Sequence, residues 1–94
     1  MSLLTDAEVE HRLSTLADWR VGEERAIVRD FAFANFADAI AFVNRVAEAA
    51  QGADHHPDIL LHGWNKVRLT LSTHSQGGLT DADFQLAAQI DRLT

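Results

Sequence analysis

The chain has 94 residues, of which 47% are hydrophobic and 23% charged, with a formal net charge of -6 and no cysteine. So short a chain holds a single core, so residues 1–94 are expected to form one domain, and the composition excludes a disordered polymer. The acidic balance, with no run of Lys or Arg, excludes nucleic acid as a direct partner, and the lack of cysteine removes disulfides, thiolate nucleophiles and Cys-based zinc sites.

No apolar run approaches the roughly 20 residues of a membrane helix, and residues 1–10 lack the basic-then-apolar pattern of a signal peptide. No membrane contact and a cytoplasmic location are the expectation.

Thr5 and Glu8 have capping-box spacing, with Leu4 and Val9 placed as the staple around them. Val9, Leu13 and Leu16 then share one helical face, and this first helix should end near Ala17. Residues 19–33 read as a β-hairpin: Trp19-Arg20-Val21, a turn at Gly22-Glu23-Glu24, then a strand with Ile27, Phe31 and Phe33 at one parity. Asn35 is the predicted cap of a second helix that Gly52 should stop. Its broad apolar stripe runs through Phe36, Ala39, Ile40, Val43, Val46, Ala47 and Ala50, with Phe36, Ile40 and Val43 expected in the core.

A second hairpin is predicted from residues 59–62, a turn at Gly63-Trp64-Asn65 and a strand over residues 66–74. In that strand Val67, Leu69, Leu71 and Thr73 alternate with Lys66, Arg68, Thr70, Ser72 and His74. Lys66 and Arg68 would be solvated or paired across an interface, and Trp64 partly exposed. Gly77-Gly78 breaks the chain, and Thr80 caps a last helix that buries Phe84, Ala88 and either Leu86 or Ile90. The order α-β-β-α-β-β-α predicts an α+β fold: a four-stranded, mainly antiparallel sheet with three helices on one face. Its open face would meet solvent or a second subunit.

Four of the five histidines, His55, His56, His62 and His74, fall within one 20-residue span that the second hairpin folds back on itself. Taken alone, the His55-His56 pair admits three readings. It is part of a solvated loop, or a metal site, or a pair of proton carriers beside a pocket. Adjacent residues of an extended chain point to opposite sides and no i, i+4 histidine pair is present, so the spacing is poor for zinc. Imidazoles supply both protonation states near neutral pH, which suits an elimination or dehydration. Pro57 biases His56 away from helical angles and stiffens the corner. Asp83, three residues after Thr80, has a sufficient structural role as a capping acid.

The ordered set His55-His56-Pro57-Asp58, Trp64-Asn65-Lys66-Val67, Leu69-Thr70-Leu71-Ser72-Thr73-His74, Gly78-Leu79-Thr80 and Asp83-Phe84 resembles the pterin-4a-carbinolamine dehydratases. Trp19, Phe31-Ala32-Phe33 and the Phe36 helix agree more loosely. The resemblance implies a cofactor-free enzyme that removes water from 4a-hydroxytetrahydropterin to give quinonoid dihydropterin, recycling the cofactor spent by an aromatic amino-acid hydroxylase. His55, His56 and His74 would carry the acid–base work, with His55 and His74 transferring protons and His56 in support. Pro57 would shape the pocket, Asp54 and Asp83 match acids around it, and the backbone around Thr73, Ser75 and Gln76 would edge the pterin. No metal is implied, and a homodimer or homotetramer is. The chain departs from many members at Gln51, where they carry Glu, and Asp54 is a nearby carboxylate that could replace it. The family also includes a non-catalytic role, that of a dimerisation partner of another protein.

Overall fold

In the computed structural model, which describes residues 2–94, Thr5 opens the first helix with a full capping box: its hydroxyl accepts from Glu8 N–H at 3.2 Å while its own N–H donates to Glu8 Oε1 at 2.9 Å. This helix, α1 (Asp6–Leu13), is one turn shorter than the apolar spacing predicts. The Ser14 and Thr15 hydroxyls bond back to the carbonyls of His11 and Arg12 and close the last turn.

Strands β1 (Arg20–Val21) and β2 (Ile27–Ala32) form the first hairpin. Gly22 is required at its turn by close approach, because a Cβ there would stand 2.5 Å from Val28 Cγ2. Glu24 and Arg25 complete the turn in left-handed backbone, with φ of 57° and 55°.

Asn35 Oδ1 accepts from Asp38 N–H at 2.8 Å and starts α2 (Phe36–Ala53). The helix does not stop at Gly52. It runs through it and ends at Asp54, whose left-handed φ of 52° supplies the terminating turn. Its buried face is Ala39, Phe42, Val46 and Ala50, whereas Phe36 and Ile40, expected in the core, are exposed and Val43 is only partly buried. The Phe42 ring sets this rotation, lying 4.6 Å from the Phe31 ring and 5.0 Å from the Phe33 ring.

Strands β3 (Asp58–His62) and β4 (Lys66–Leu71) form the second hairpin, and the antiparallel sheet has the order β1-β2-β4-β3. Trp64 sits exposed in its turn with a φ of 60°. Strand β4 ends at Leu71 rather than His74. Thr73 instead bridges back to Gly78, and a 3-10 turn, His74–Gln76, fills the loop between them.

Register places Ile27, Phe31, Val67, Leu69 and Leu71 on the face covered by the helices, and all five are buried. Arg29 shares that parity and is accommodated by ion pairs. Its Nη1 donates to Asp91 Oδ1 at 2.6 Å, and its guanidinium lies 4.3 Å from the centre of the Phe31 ring. Trp19 is buried and donates its indole N–H to the same Asp91 oxygen at 2.8 Å. On the open face Arg68 is paired within the chain, with Asp30, which also takes Arg20. Finally α3 (Asp81–Asp91) buries Phe84, Leu86, Ala87 and Ile90, and Ala88 is only partly covered. Among the described residues no helix is long and apolar enough to cross a membrane.

Candidate active site

The site begins where α2 ends. Asp54 turns the chain out of the helix, His55 N–H donates to Ala50 carbonyl at 3.1 Å, and Pro57 commits the backbone to the extended path into β3. On that path successive side chains point apart. His55 therefore turns inward, with its side chain 13% exposed, and its Nε2 lies 2.5 Å from Asp83 Oδ1. His56 turns outward, and its Nε2 lies 3.1 Å from Gln51 Oε1.

Asp83 has no exposed surface. A buried carboxylate is stable only when hydrogen-bonded, and three donors meet this one. Its Oδ2 accepts from Thr80 N–H at 2.9 Å and from Thr73 Oγ1 at 2.8 Å, while Oδ1 faces His55. The first-turn position on α3 adds the favourable end of the helix dipole. An ionised Asp83 only accepts, and against it His55 Nε2 would carry the ring proton, with Nδ1 the nitrogen outside the pair. The Gln51 amide, which has both an acceptor oxygen and a donor NH2, can pair with either tautomer of His56.

His74 opens the 3-10 turn directly after Thr73, exposed together with Ser75 and Gln76. The Asp58–Thr70 pair closes the ladder of the second hairpin, so residues 55–57 and residues 72–76 leave it at the same end. His74 reaches that end of the sheet without a side-chain bond to His55 or His56 among the described residues. His62 stands at the other end of β3, paired with Lys66 beside the turn, away from the other three histidines.

The structure thus joins His55, Asp83 and Thr73 by direct contacts and brings Pro57, His56, His74, Ser75 and Gln76 to the same end of the sheet. Asp54 is exposed as the cap of α2, and its carboxylate bonds no histidine among the described residues. Gln51, noted in the sequence only as a departure, is the partner of His56. Thr73 spends its backbone within the chain: its N–H donates to Gly78 carbonyl at 2.8 Å, and its carbonyl accepts from Gln76 and Gly77. Sequence reasoning missed the Thr80 hydroxyl, 2.8 Å from that of Thr73. Its only signal was the Thr80-to-Asp83 capping spacing.

Among the described residues no group of three or more His, Cys, Asp or Glu side chains is arranged to hold a metal ion. A groove of about 550 Å³ between the N-terminal segment, Arg25 and Leu79 contains none of the side chains above.

The sequence pattern of the family described as Pterin 4 alpha carbinolamine dehydratase matches residues 2–93. A protein of Gloeobacter violaceus, provisionally named a pterin-4-alpha-carbinolamine dehydratase, is 50% identical over 93 residues, covering 96% of this chain and 100% of that one. The crystal structure of a transcriptional coactivator/pterin dehydratase from Brucella melitensis superposes with a TM-score of 0.92 at 33% identity, over 98% of both chains. A pterin dehydratase-like protein identified as a RuBisCO assembly factor in the alpha-carboxysome is also similar, with a TM-score of 0.68, 29% identity, and coverage of 81% of this chain and 88% of that one.

Proposed function

Because the chain belongs to the pterin 4 alpha carbinolamine dehydratase family, we propose that it dehydrates 4a-hydroxytetrahydropterin to quinonoid dihydropterin through histidine acid–base catalysis. A proton joins the 4a-hydroxyl, the C4a–O bond breaks and water leaves. A base takes the proton of N5, and the N–H electron pair closes the C4a=N5 bond. The proton given and the proton taken balance, so the step consumes no reductant or oxidant.

His55 is the base in this reading. The observation that carries it is the buried carboxylate of Asp83 on His55 Nε2, which stabilises the positive ring formed when Nδ1 accepts a proton. His74, exposed at the same end of the hairpin, is the acid, and His56, held by Gln51, orients the substrate. Asp54, Pro57, Ser75 and Gln76 edge the pterin, and Asp83 and Thr73 act from behind His55. The enzyme works in the cytoplasm as a homodimer or homotetramer, recycling pterin for an aromatic amino-acid hydroxylase. Exposed Phe36 and Ile40 on α2 and exposed Leu60 on the edge strand support self-association. Sedimentation at several protein concentrations tests it, and a monomer at all of them would refute it.

The purified protein should accelerate formation of quinonoid dihydropterin above the spontaneous rate, followed by its absorbance in a stopped-flow mixer. A rate equal to the uncatalysed one would overturn the reading. The similar RuBisCO assembly factor motivates a second reading, a non-catalytic stabilising partner of another protein. That reading predicts binding that survives loss of His55 and His74.

A further inference from the structure

The Asp83 carboxylate accepts from two donors on the oxygen that His55 does not use, and only one of them belongs to the helix cap. Thr80 and Asp83 make the capping box of α3 between themselves. Thr73 lies outside that box, and its backbone is already held by the bridge to Gly78. Its hydroxyl therefore has a use that capping does not explain.

Proton counting gives the direction of the contacts. Thr73 Oγ1 stands 2.8 Å from Asp83 Oδ2 and 2.8 Å from Thr80 Oγ1, and it carries one proton. The carboxylate cannot donate, so that proton goes to Asp83 and Thr80 must donate to Thr73. The hydroxyls form a one-way chain, Thr80 to Thr73 to Asp83, which ends on the group that holds His55. Thr73, Thr80 and Asp83 are all buried, so solvent does not replace a missing donor.

We propose that Thr73, with Thr80 behind it, is a positioning residue that locks the Asp83 carboxylate and so fixes His55 in the Nε2–H form, with Nδ1 turned to the reacting molecule. Two donors on Oδ2 fix the plane of the carboxylate and reserve Oδ1 for the imidazole. With the Thr73 hydroxyl gone, the carboxylate rotates, and His55 samples the other tautomer and other ring orientations. The kinetic consequence rests on the dehydratase reading; the spectroscopic one does not.

The test uses protein labelled with 15N-histidine, in which ring-nitrogen shifts report the tautomer, with the His55 signals assigned by their loss in His55→Gln. Wild type should show a protonated Nε2 and a bare Nδ1 at a pH where the ring is neutral. Thr73→Val should mix the tautomers and lower kcat by roughly 10- to 100-fold with little change in KM. Thr73→Ser, which keeps the hydroxyl, should restore both. A proton on Nδ1 of wild-type His55 would overturn the proposal, even if Thr73→Val failed to fold. So would a folded Thr73→Val with wild-type His55 signals, or a folded Thr73→Ser that rescues nothing. Tautomers that follow Thr73 in a protein without dehydratase activity would uphold the positioning role and refute the dehydratase reading alone.

Discussion

His55 Nε2 and Asp83 Oδ1 stand 2.5 Å apart, tying the chain that leaves α2 to the first turn of α3, 28 residues further on. One carboxylate therefore caps a helix and holds an imidazole. Asp83→Asn keeps the volume but replaces an acceptor-only group with an amide that can present its NH2 to the ring. In assays of the variant, kcat should fall on the order of 100-fold or more. Urea unfolding should show a loss of about 1–3 kcal/mol, because buried donors on Thr73 and Thr80 lose a charged acceptor.

The open face of the sheet makes a separate prediction about acid stability. Arg68 first, and Arg20 second, hold the Asp30 carboxyl below its ordinary value of 3.8 by hydrogen bonds that favour the ionised form. A carboxyl whose folded value lies below its unfolded one binds fewer protons folded than unfolded between the two values. Its contribution is thus complete above pH 3.8 and is lost as pH falls through the depressed folded value. Asp30→Asn should flatten the pH dependence of stability below about pH 4, by an amount that solvent screening keeps small. An unchanged acid slope in denaturant titrations would contradict the pairing.

Phe36 and Phe42 have the same chemistry on one helix and opposite surroundings: Phe42 is 0% exposed and Phe36 is 53% exposed. Phe42→Ala should cost about 3–5 kcal/mol through lost burial and a residual cavity. Phe36→Ala, unfolded at low protein concentration, should stay within about 0.5 kcal/mol of wild type.

Helix α2 also marks where the sequence stopped being legible. Its run Phe36-Ala37-Asp38-Ala39-Ile40-Ala41-Phe42-Val43 is apolar on most sides, so periodicity alone fits more than one rotation. The rings of Phe31 and Phe33, distant in sequence, choose the one that buries Phe42. Alternation in β4 was clear and its inward residues are the buried ones, but alternation cannot see that Thr73 bonds to Gly78 and ends the strand. Arg29 looks like a break in an apolar strand until Asp91 arrives from the last helix. In the site, the gathering of residues 55–57 and residues 72–76 at one end of the sheet was legible from the order of the second hairpin. The role of Asp83 was half legible, since a capping position explains an acid without revealing what its second oxygen holds. Gln51 and Thr80 were invisible as partners, because a hydrogen bond between side chains leaves no periodic trace.

The histidines need no metal in this account: the Nε2 atoms of His55 and His56 are already engaged by Asp83 and Gln51. Activity should therefore survive prolonged chelation and dialysis. A stoichiometric metal whose removal abolishes turnover and whose return restores it would point instead to metal-assisted hydrolysis.

The most direct measurement compares quinonoid dihydropterin formation by wild type, His55→Ala and His74→Ala, with circular dichroism confirming that all three are folded. Wild type should accelerate the dehydration over its spontaneous rate, and both variants should lose that acceleration. Full acceleration by either folded variant would contradict the proposed pair of proton carriers.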